Sequence, residues 1–286
     1  MTWLRGLCRL TLLACAFVIL CAAIGALHPA LDAFGIWLVY GTIGAAICVL
    51  ALAALRAPRS AALAGIFALG GFVQLWPHLG EGTPGTDLTL RQHNLLYTND
   101  GAGLSERLEG VDVLTLQEVE AAVPVVEALA PDWAVNLCGN LGVGAPAIAT
   151  RLPVIERGCF EGGAWMRIDT AAGPATFVSL HLHLPWPWPQ PDHMDRVMDD
   201  LAALPKPVIV AGDFNQGAWS HALSRIEAAT DTAAVPGIDV THTRRLGTIR
   251  MPIDHVLLPD GWSGVAEPGA RYGSDHMVVT ARLAWP

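Results

Sequence analysis

PVIVAGDFNQ, residues 207–216, is the stretch on which the reading of this chain turns. Val208 to Ala211 form a short unbroken apolar run, the pattern of a strand buried on both faces. Gly212 ends the run, and Asp213 and Asn215 follow at once. The stretch therefore predicts a strand that breaks at a glycine and presents a carboxylate and an amide at a sheet's edge. Gly, Asp and Asn are also turn formers, and within these ten residues the two readings stand level.

Working outward, the same pattern recurs. Residues 87–94 alternate as a strand that stops at Asn94, and VDVLTLQE (111–118) is a strand ending in Glu118. TFVSLHLH (176–183) carries His181 and His183, which a period of two places on one face. IDHVLL (253–258) begins with Asp254 and His255, and YGSDHMVVTARL (272–283) sets Ser274, Asp275 and His276 just before a last strand from Met277. Taken singly these are weak signals: Asn94 reads equally as a turn residue, and a lone histidine is more often structural. Their ordered recurrence at strand ends is much stronger. Oxygen ligands suit a hard cation such as Mg²⁺ or Mn²⁺, and two histidines among four carboxylates suit proton transfer. Between these strands lie short strands at 133–137, 145–150 and 154–160, a hairpin over 165–169 and 175–183, and helices over 104–109, 119–129, 192–204 and 219–229.

Three loops stand out. PWPWPQP (185–191) can be neither helix nor central strand; it reads as a rigid aromatic loop beside the site or against a membrane interface, where Trp is favoured. THTRRLGTIR (241–250) gathers Arg244, Arg245 and Arg250, either as a solvated loop or as an anion clamp. Cys138 and Cys159 follow or lie in neighbouring strand-like runs; they either pair or stay free.

Composition divides the chain. Of 17 basic and 26 acidic residues, four and one lie before residue 80, which leaves 13 and 25 beyond it. Mean hydropathy is +0.42, and the excess lies in three stretches, 10–27, 33–55 and 61–79. Each is near the ~20 residues that span a bilayer. The expected organisation is a three-span anchor over 1–80 and an acidic soluble domain over 81–286. Arg5 and Arg9, then Arg56 and Arg59, mark the cytoplasmic side, so the expectation is an inner-membrane, multi-pass protein whose soluble domain faces outward. The acidity of that domain disfavours nucleic acid as a partner, because non-specific binding rests on phosphate neutralisation by Lys and Arg.

In its stretches HN (93–94), LQE (116–118), SLHL (179–182), GDFN (212–215), IDHV (253–256) and SDH (274–276), the sequence resembles the endonuclease/exonuclease/phosphatase superfamily, and with its apolar N-terminus it looks like the membrane-anchored bacterial branch. The resemblance implies a four-layer α/β sandwich, two packed mixed sheets flanked by helices, and a divalent-metal-dependent hydrolase of phosphate mono- or diesters, including lipid-linked phosphate or pyrophosphate. It implies Glu118 as metal ligand, with Asn94 and Asp275. It implies Asp213 to orient or deprotonate water, Asn215 to hold the phosphate, His276 supported by Asp254 to bind or polarise the phosphoryl group or serve as base, and His181 to stabilise the pentavalent phosphorus or assist the leaving oxygen. The competing readings are an extracytoplasmic nuclease and an inactive binding module on the same fold. Arg244, Arg245, Arg250 and His183 are the candidates for further substrate contact.

Overall fold

An apolar segment with few side-chain partners satisfies its amides locally, and the N-terminal part of this chain is helical throughout. The computed structural model describes residues 2–140, 142–244 and 249–286. It opens with α1 (Thr2–Ala23), α2 (Pro29–Gly35), α3 (Leu38–Ala54) and α4 (Pro58–Leu75). α1 begins at Thr2 rather than Leu10, so Arg5 and Arg9 are helical. Arg5 donates to the Leu55 carbonyl at 2.6 and 2.9 Å and Arg9 to Ser60 at 3.1 Å, which gathers the basic residues at one end of the helices. The expected span 33–55 is a bent pair instead, α2 and α3 meeting at 61°; at the bend Gly35 lies against the Ala22 backbone. Among the described residues two helices are long and apolar enough to cross a membrane, or three if the bent pair is one span.

By Cα proximity the chain forms two compact units: Met1–Leu79 with Pro185–Pro187 and Trp219–His221, and Gly80–Leu184 with Trp188–Ala218 and Ala222–Pro286. The second is built from β1 (Leu88–Asn94), β2 (Val113–Gln117), α5 (Val123–Glu127), β3 (Ala134–Leu137), β4 (Ala147–Thr150), β5 (Val154–Phe160), β6 (Gly163–Thr170), β7 (Gly173–His181), α6 (Gln190–Ala203), β8 (Val208–Asp213), α7 (His221–Thr230), β9 (Thr232–Ala234), β10 (His242–Arg244), β11 (Ile249–Met251), β12 (Asp254–Pro259), β13 (Ser263–Pro268) and β14 (Val279–Ala284). One sheet runs β13-β14-β1-β2-β4-β3, the other β5-β6-β7-β8-β12-β9, and both are mixed. β1 and β2 are parallel in the first, β7 and β8 in the second.

Alternation along each strand sorts the side chains into layers. Leu88, Leu90 and Val113 of the first sheet meet Phe177, Ile209, Ala211 and Val256 of the second in the central core. The outward residues Val178, Leu180, Val208 and Val210 pack against Met194, Val197 and Leu201 of α6 and Leu223 and Ile226 of α7. On the other outer face Leu114, Leu116, Ala147 and Ala149 meet Val126 and the loop residues Leu104, Leu108 and Leu129. The expected four layers are therefore present, though the helix expected over 104–109 is only a 3₁₀ turn (Ser105–Arg107) and α5 is five residues long. Cys138 and Cys159 are disulfide-bonded with Cα atoms 5.8 Å apart. Cys138 follows edge strand β3 and Cys159 lies in edge strand β5, so the bond joins the two sheets along one side.

Candidate active site

Gly212 does not end β8, as the sequence suggests; it lies inside the strand, opposite Leu180 of β7. A Cβ at this position would run into the Leu180 carbonyl, so glycine is required by the close approach of β7. The turn comes later, at Asn215, whose φ of 53° is left-handed. The chain is held there by the Asn215 amide, which donates to Asp213 Oδ1 at 2.8 Å. Asn215 Nδ2 donates to the Leu182 carbonyl at 2.8 Å.

The parallel pairs bring strand ends together. β1 and β2 pair Asn94 with Gln117, which puts Glu118 one residue beyond the ladder, itself left-handed at φ 53°. β7 and β8 pair His181 with Asp213, and β12 pairs Asp254 with Asp213. Asp213 Oδ2 is the meeting point: Asn94 Nδ2 donates to it at 3.0 Å, and the Nε2 atoms of His276 and His181 stand 3.5 and 3.7 Å away. Asn94 Nδ2 also donates to Glu118 Oε1 at 3.0 Å, and His181 Nε2 is 3.6 Å from that oxygen. His276 Nδ1 faces Asp254 Oδ2 at 2.9 Å. Gln92 Nε2 donates to Asp254 Oδ1 at 2.9 Å and the Ser274 hydroxyl donates to the Asn94 carbonyl at 2.7 Å. The meeting groups open onto a cleft of about 660 Å³, lined by Glu118, His181, Asp213, Asn215 and His276.

Burial sets the electrostatics. Burial pushes Asp213, 1% exposed, up to about 7 against the pull of His276. Burial pulls His276 down, but the carboxylates of Asp254 and Asp213 outweigh it and push the imidazole up to about 10. Asp254 is also penalised by burial, yet His276 and its hydrogen bonds hold it below the ordinary carboxylate range. Burial lowers His181, with Glu118 opposing. At neutral pH the site thus holds a cationic His276, a neutral His181 and a carboxyl at Asp213 poised to ionise.

Glu118, His181 and Asp213 offer ligand atoms within 4.8 Å of one another. Two carboxylates and an imidazole, one of the carboxylates being the buried Asp213 whose proton affinity is raised, fit a divalent cation as the countercharge. Asn94 turns its NH₂ to both carboxylates, while its Oδ1 accepts from the Leu96 amide at 2.9 Å. Asp275 belongs to another group, with His242 and His276; its Oδ2 is 3.2 Å from His242 Nε2. His183 lies beyond the end of β7, so the expected alternation with His181 stops there; it is on the cleft rim, its ring centroid 5.2 Å from that of His193. Arg245 lies outside the described residues, the backbone of Arg244 is in β10, and Arg250 is exposed on β11. Among the described residues no lysine or arginine lines the cleft; Arg245 and the Arg244 side chain of the expected anion clamp lie outside them.

His242 is the residue that reading the sequence missed. It is buried, lines the cleft, and its ring centroid is 4.5 Å from that of His276. It arrives there because β10 bridges His276 through the backbone, a pairing between residues far apart in the chain that leaves no local trace.

A sequence model of the Endonuclease/Exonuclease/phosphatase family matches residues 91–276. No curated protein sequence matches the chain. Solved structures superpose on it at low identity. An endonuclease/exonuclease/phosphatase family protein from Leptotrichia buccalis C-1013-b has a TM-score of 0.55 at 14% identity, covering 69% of this chain and 100% of that one. A 3′ phosphatase, NExo, from Neisseria, bound to product DNA hairpin, gives 0.53 at 14%, with 69% and 100% covered. A mannosyl-6-phosphatase from Bacteroides thetaiotaomicron VPI-5482 gives 0.50 at 15%, again covering 69% and 100%. With more than half its length matched by the family model and the expected two-sheet fold in place, the chain belongs to the Endonuclease/Exonuclease/phosphatase family.

Proposed function

We propose that this protein hydrolyses a phosphate mono- or diester by in-line attack of water, with Mg²⁺ or Mn²⁺, at the outer face of the cytoplasmic membrane, on a substrate that is itself lipid-linked. Members of the family are metal-dependent phosphoester hydrolases. The observation that carries the reading is the convergence on Asp213 Oδ2 of Asn94, His181 and a His276 fixed by Asp254.

A divalent ion would be held at Glu118 and would neutralise the phosphoryl oxygens; Asn94, whose NH₂ faces Glu118 and Asp213, would orient these carboxylates, and Asp275 belongs to the group with His242 and His276. The chain's own groups do the rest. His276, an imidazolium kept so by Asp254 and Asp213, donates Nε2–H to a phosphoryl oxygen and holds it. Asp213 aligns the water and accepts its proton as the new P–O bond forms, which its raised proton affinity favours. His181 faces the departing oxygen as the old P–O bond breaks; the alkoxide takes its proton from solvent, to which Asp213 returns the one it accepted, and Asn215, pinned to Leu182, lines the phosphate side. The outward location is supported by the basic residues gathered where α1 begins and α3 ends, which follows the rule that Lys and Arg stay inside. The acidity beyond residue 80 speaks against a nuclease.

The test is a screen of the full chain, reconstituted in nanodiscs with Mg²⁺ or Mn²⁺, against soluble aryl phosphates and phosphodiesters, phospholipids, polyprenyl pyrophosphate and plasmid DNA. Hydrolysis of phosphoesters that chelator abolishes, and that His276→Ala lowers by about 10²–10⁴-fold, is expected; activity undiminished in excess chelator overturns the reading.

A further inference from the structure

Between two packed sheets a polar side chain costs stability unless it is paired. Leu90, Val113 and Phe177 meet that condition by being apolar and belong to the central core. Nearer the site the same strands turn polar. Gln92 lies two residues before Asn94 on β1, Gln117 one residue before Glu118, and Ser179 two residues before His181 on β7. All three are 0% exposed. They form one chain of hydrogen bonds from sheet to sheet. The Ser179 hydroxyl donates to the Leu116 carbonyl at 2.8 Å, and Gln117 Nε2 donates to Ser179 Oγ at 2.8 Å. Gln92 Nε2 donates to Gln117 Oε1 at 2.8 Å and to Asp254 Oδ1 at 2.9 Å. Gln92 Oε1 finds no partner among the described residues, a cost that an apolar filling of the same space would avoid.

The chain has a direction, and its far end sets it. A backbone carbonyl only accepts, so the Ser179 proton is committed to Leu116. Ser179 Oγ is then left to accept from Gln117, and Gln117 Oε1 to accept from Gln92. The remaining N–H of Gln92 meets Asp254, whose Oδ1 is therefore required to accept. Turning both amides over would reverse every bond. Gln92 Oε1 would face Asp254 Oδ1, which would have to carry a proton, and the Leu116 carbonyl would lose its donor. A proton on Asp254 would also weaken its hold on His276, whose Nδ1 stands 2.9 Å from Oδ2, because hydrogen bonds between charged partners are the stronger ones.

We propose that Ser179, Gln117 and Gln92 are positioning residues, a one-way hydrogen-bond relay that keeps Asp254 an acceptor and so aims His276 at the phosphoryl group. The relay starts from the Leu116 carbonyl and ends on the Asp254 carboxylate, in the layer directly beneath the reacting groups. Its effect on turnover rests on the hydrolase reading; its effect on the His276 ring does not.

The experiment uses the full chain in nanodiscs, with isotope-labelled histidine and in chelator. It reads the proton resonance of His276 Nδ1–H, assigned by its loss in His276→Ala. Wild type is compared with Ser179→Ala and with Gln92→Met, which keeps the length of the side chain. The control is Thr115→Val, two residues before Gln117, fully buried and with a hydroxyl that has no partner among the described residues. The resonance is expected at the same low-field position in wild type and Thr115→Val, and shifted upfield in Ser179→Ala and Gln92→Met. On whichever phosphoester wild type hydrolyses with Mg²⁺ or Mn²⁺, kcat falls about tenfold in both relay variants, the scale of one hydrogen bond to a charged group, while KM holds. Should Gln92→Met fail to fold, Ser179→Ala, which removes one hydroxyl, decides alone. A resonance unmoved in the relay variants overturns the relay, and so does one that Thr115→Val moves equally, which marks the layer as packing. A moved resonance with unchanged kcat overturns the positioning role. A moved resonance in a protein inert toward every ester upholds the relay and overturns the hydrolase reading.

Discussion

Replacing Asp213 with Asn should stabilise the metal-free protein while removing its activity. An unfolded aspartate titrates near about 4, whereas burial pushes Asp213 up to about 7. The folded state therefore binds this proton more tightly than the unfolded chain. The carboxyl carries no penalty below about pH 4, a growing one between about 4 and 7, and the whole of it above 7. Three units at about 1.4 kcal/mol each set a ceiling near 4 kcal/mol. His276 offsets part of that. Its pKa is raised to about 10, so its contribution is whole below its ordinary value near about 6.5 and is lost as pH rises through about 10. The two shifts share one interaction and cannot be summed. The substitution also deprives His276 of a charged partner and brings a second NH₂ toward Asn94 Nδ2, each at a cost of about 1 kcal/mol. The net expectation at pH 8 in chelator is a gain of about 1–2 kcal/mol, or roughly 2–8 °C in the melting temperature of a domain this size.

The assay is thermal unfolding of wild type and Asp213→Asn at pH 8 and pH 5 in chelator, then with Mg²⁺ or Mn²⁺. The variant should melt higher at pH 8, the gap should shrink at pH 5, and the cation should raise wild type more than the variant. Phosphoester hydrolysis should fall by about 10²–10⁴-fold. A variant that melts below wild type at pH 8 in chelator refutes the reasoning, because the buried carboxylate would then not be a net cost.

Two further outcomes follow from the same geometry. Activity in saturating substrate should rise as pH increases through a limit at or below about 7, where Asp213 loses its proton, and fall through about 10, where His276 loses its own; Asp254→Asn should move the alkaline limb to lower pH, and a pH–rate profile with that limb unmoved excludes the Asp254–His276 pairing as its origin. Closing the 21-residue separation between Cys138 and Cys159 is worth about 3 kcal/mol on a loop-entropy basis, so the double alanine variant should melt roughly 6–12 °C lower; alkylation in intact cells should find both cysteines protected, and two free thiols there would overturn the outward placement of the domain.

The strand ends were legible because each ends a run whose period is plain: Asn94 after an alternating strand, Glu118 after Leu-Thr-Leu, Asp213 after four apolar residues and a glycine. What could not be read depends on neighbours far along the chain. Gly212 looks like a turn because ten residues carry no word of how near β7 runs. His242 sits among arginines in the sequence and beside His276 in space only because the two bridge through the backbone. The apolar N-terminus read clearly as helix, but the bend at Gly35 reflects packing on Ala22 rather than any proline. β9 and β13, short and half-exposed, have too little periodicity to show.

Why chemistry collects at these ends has a common local cause. β1 and β8 finish in the same way: the side-chain oxygen of the last residue accepts the amide two residues on, Asn94 Oδ1 from Leu96 at 2.9 Å and Asp213 Oδ1 from Asn215 at 2.8 Å. Each bond holds a left-handed residue, Leu96 at φ 68° and Asn215 at φ 53°, against a strain of about 1–3 kcal/mol. One side-chain atom is thus committed to turning the chain out of the sheet. The other is left facing inward, and those two inward atoms, Asn94 Nδ2 and Asp213 Oδ2, meet at 3.0 Å in the middle of the site. The division of labour explains why Asp213→Asn is the informative substitution: it keeps the oxygen that folds the corner and changes only the atom that faces the substrate. Alanine would remove both, and a loss of activity could no longer be told from a loss of the corner.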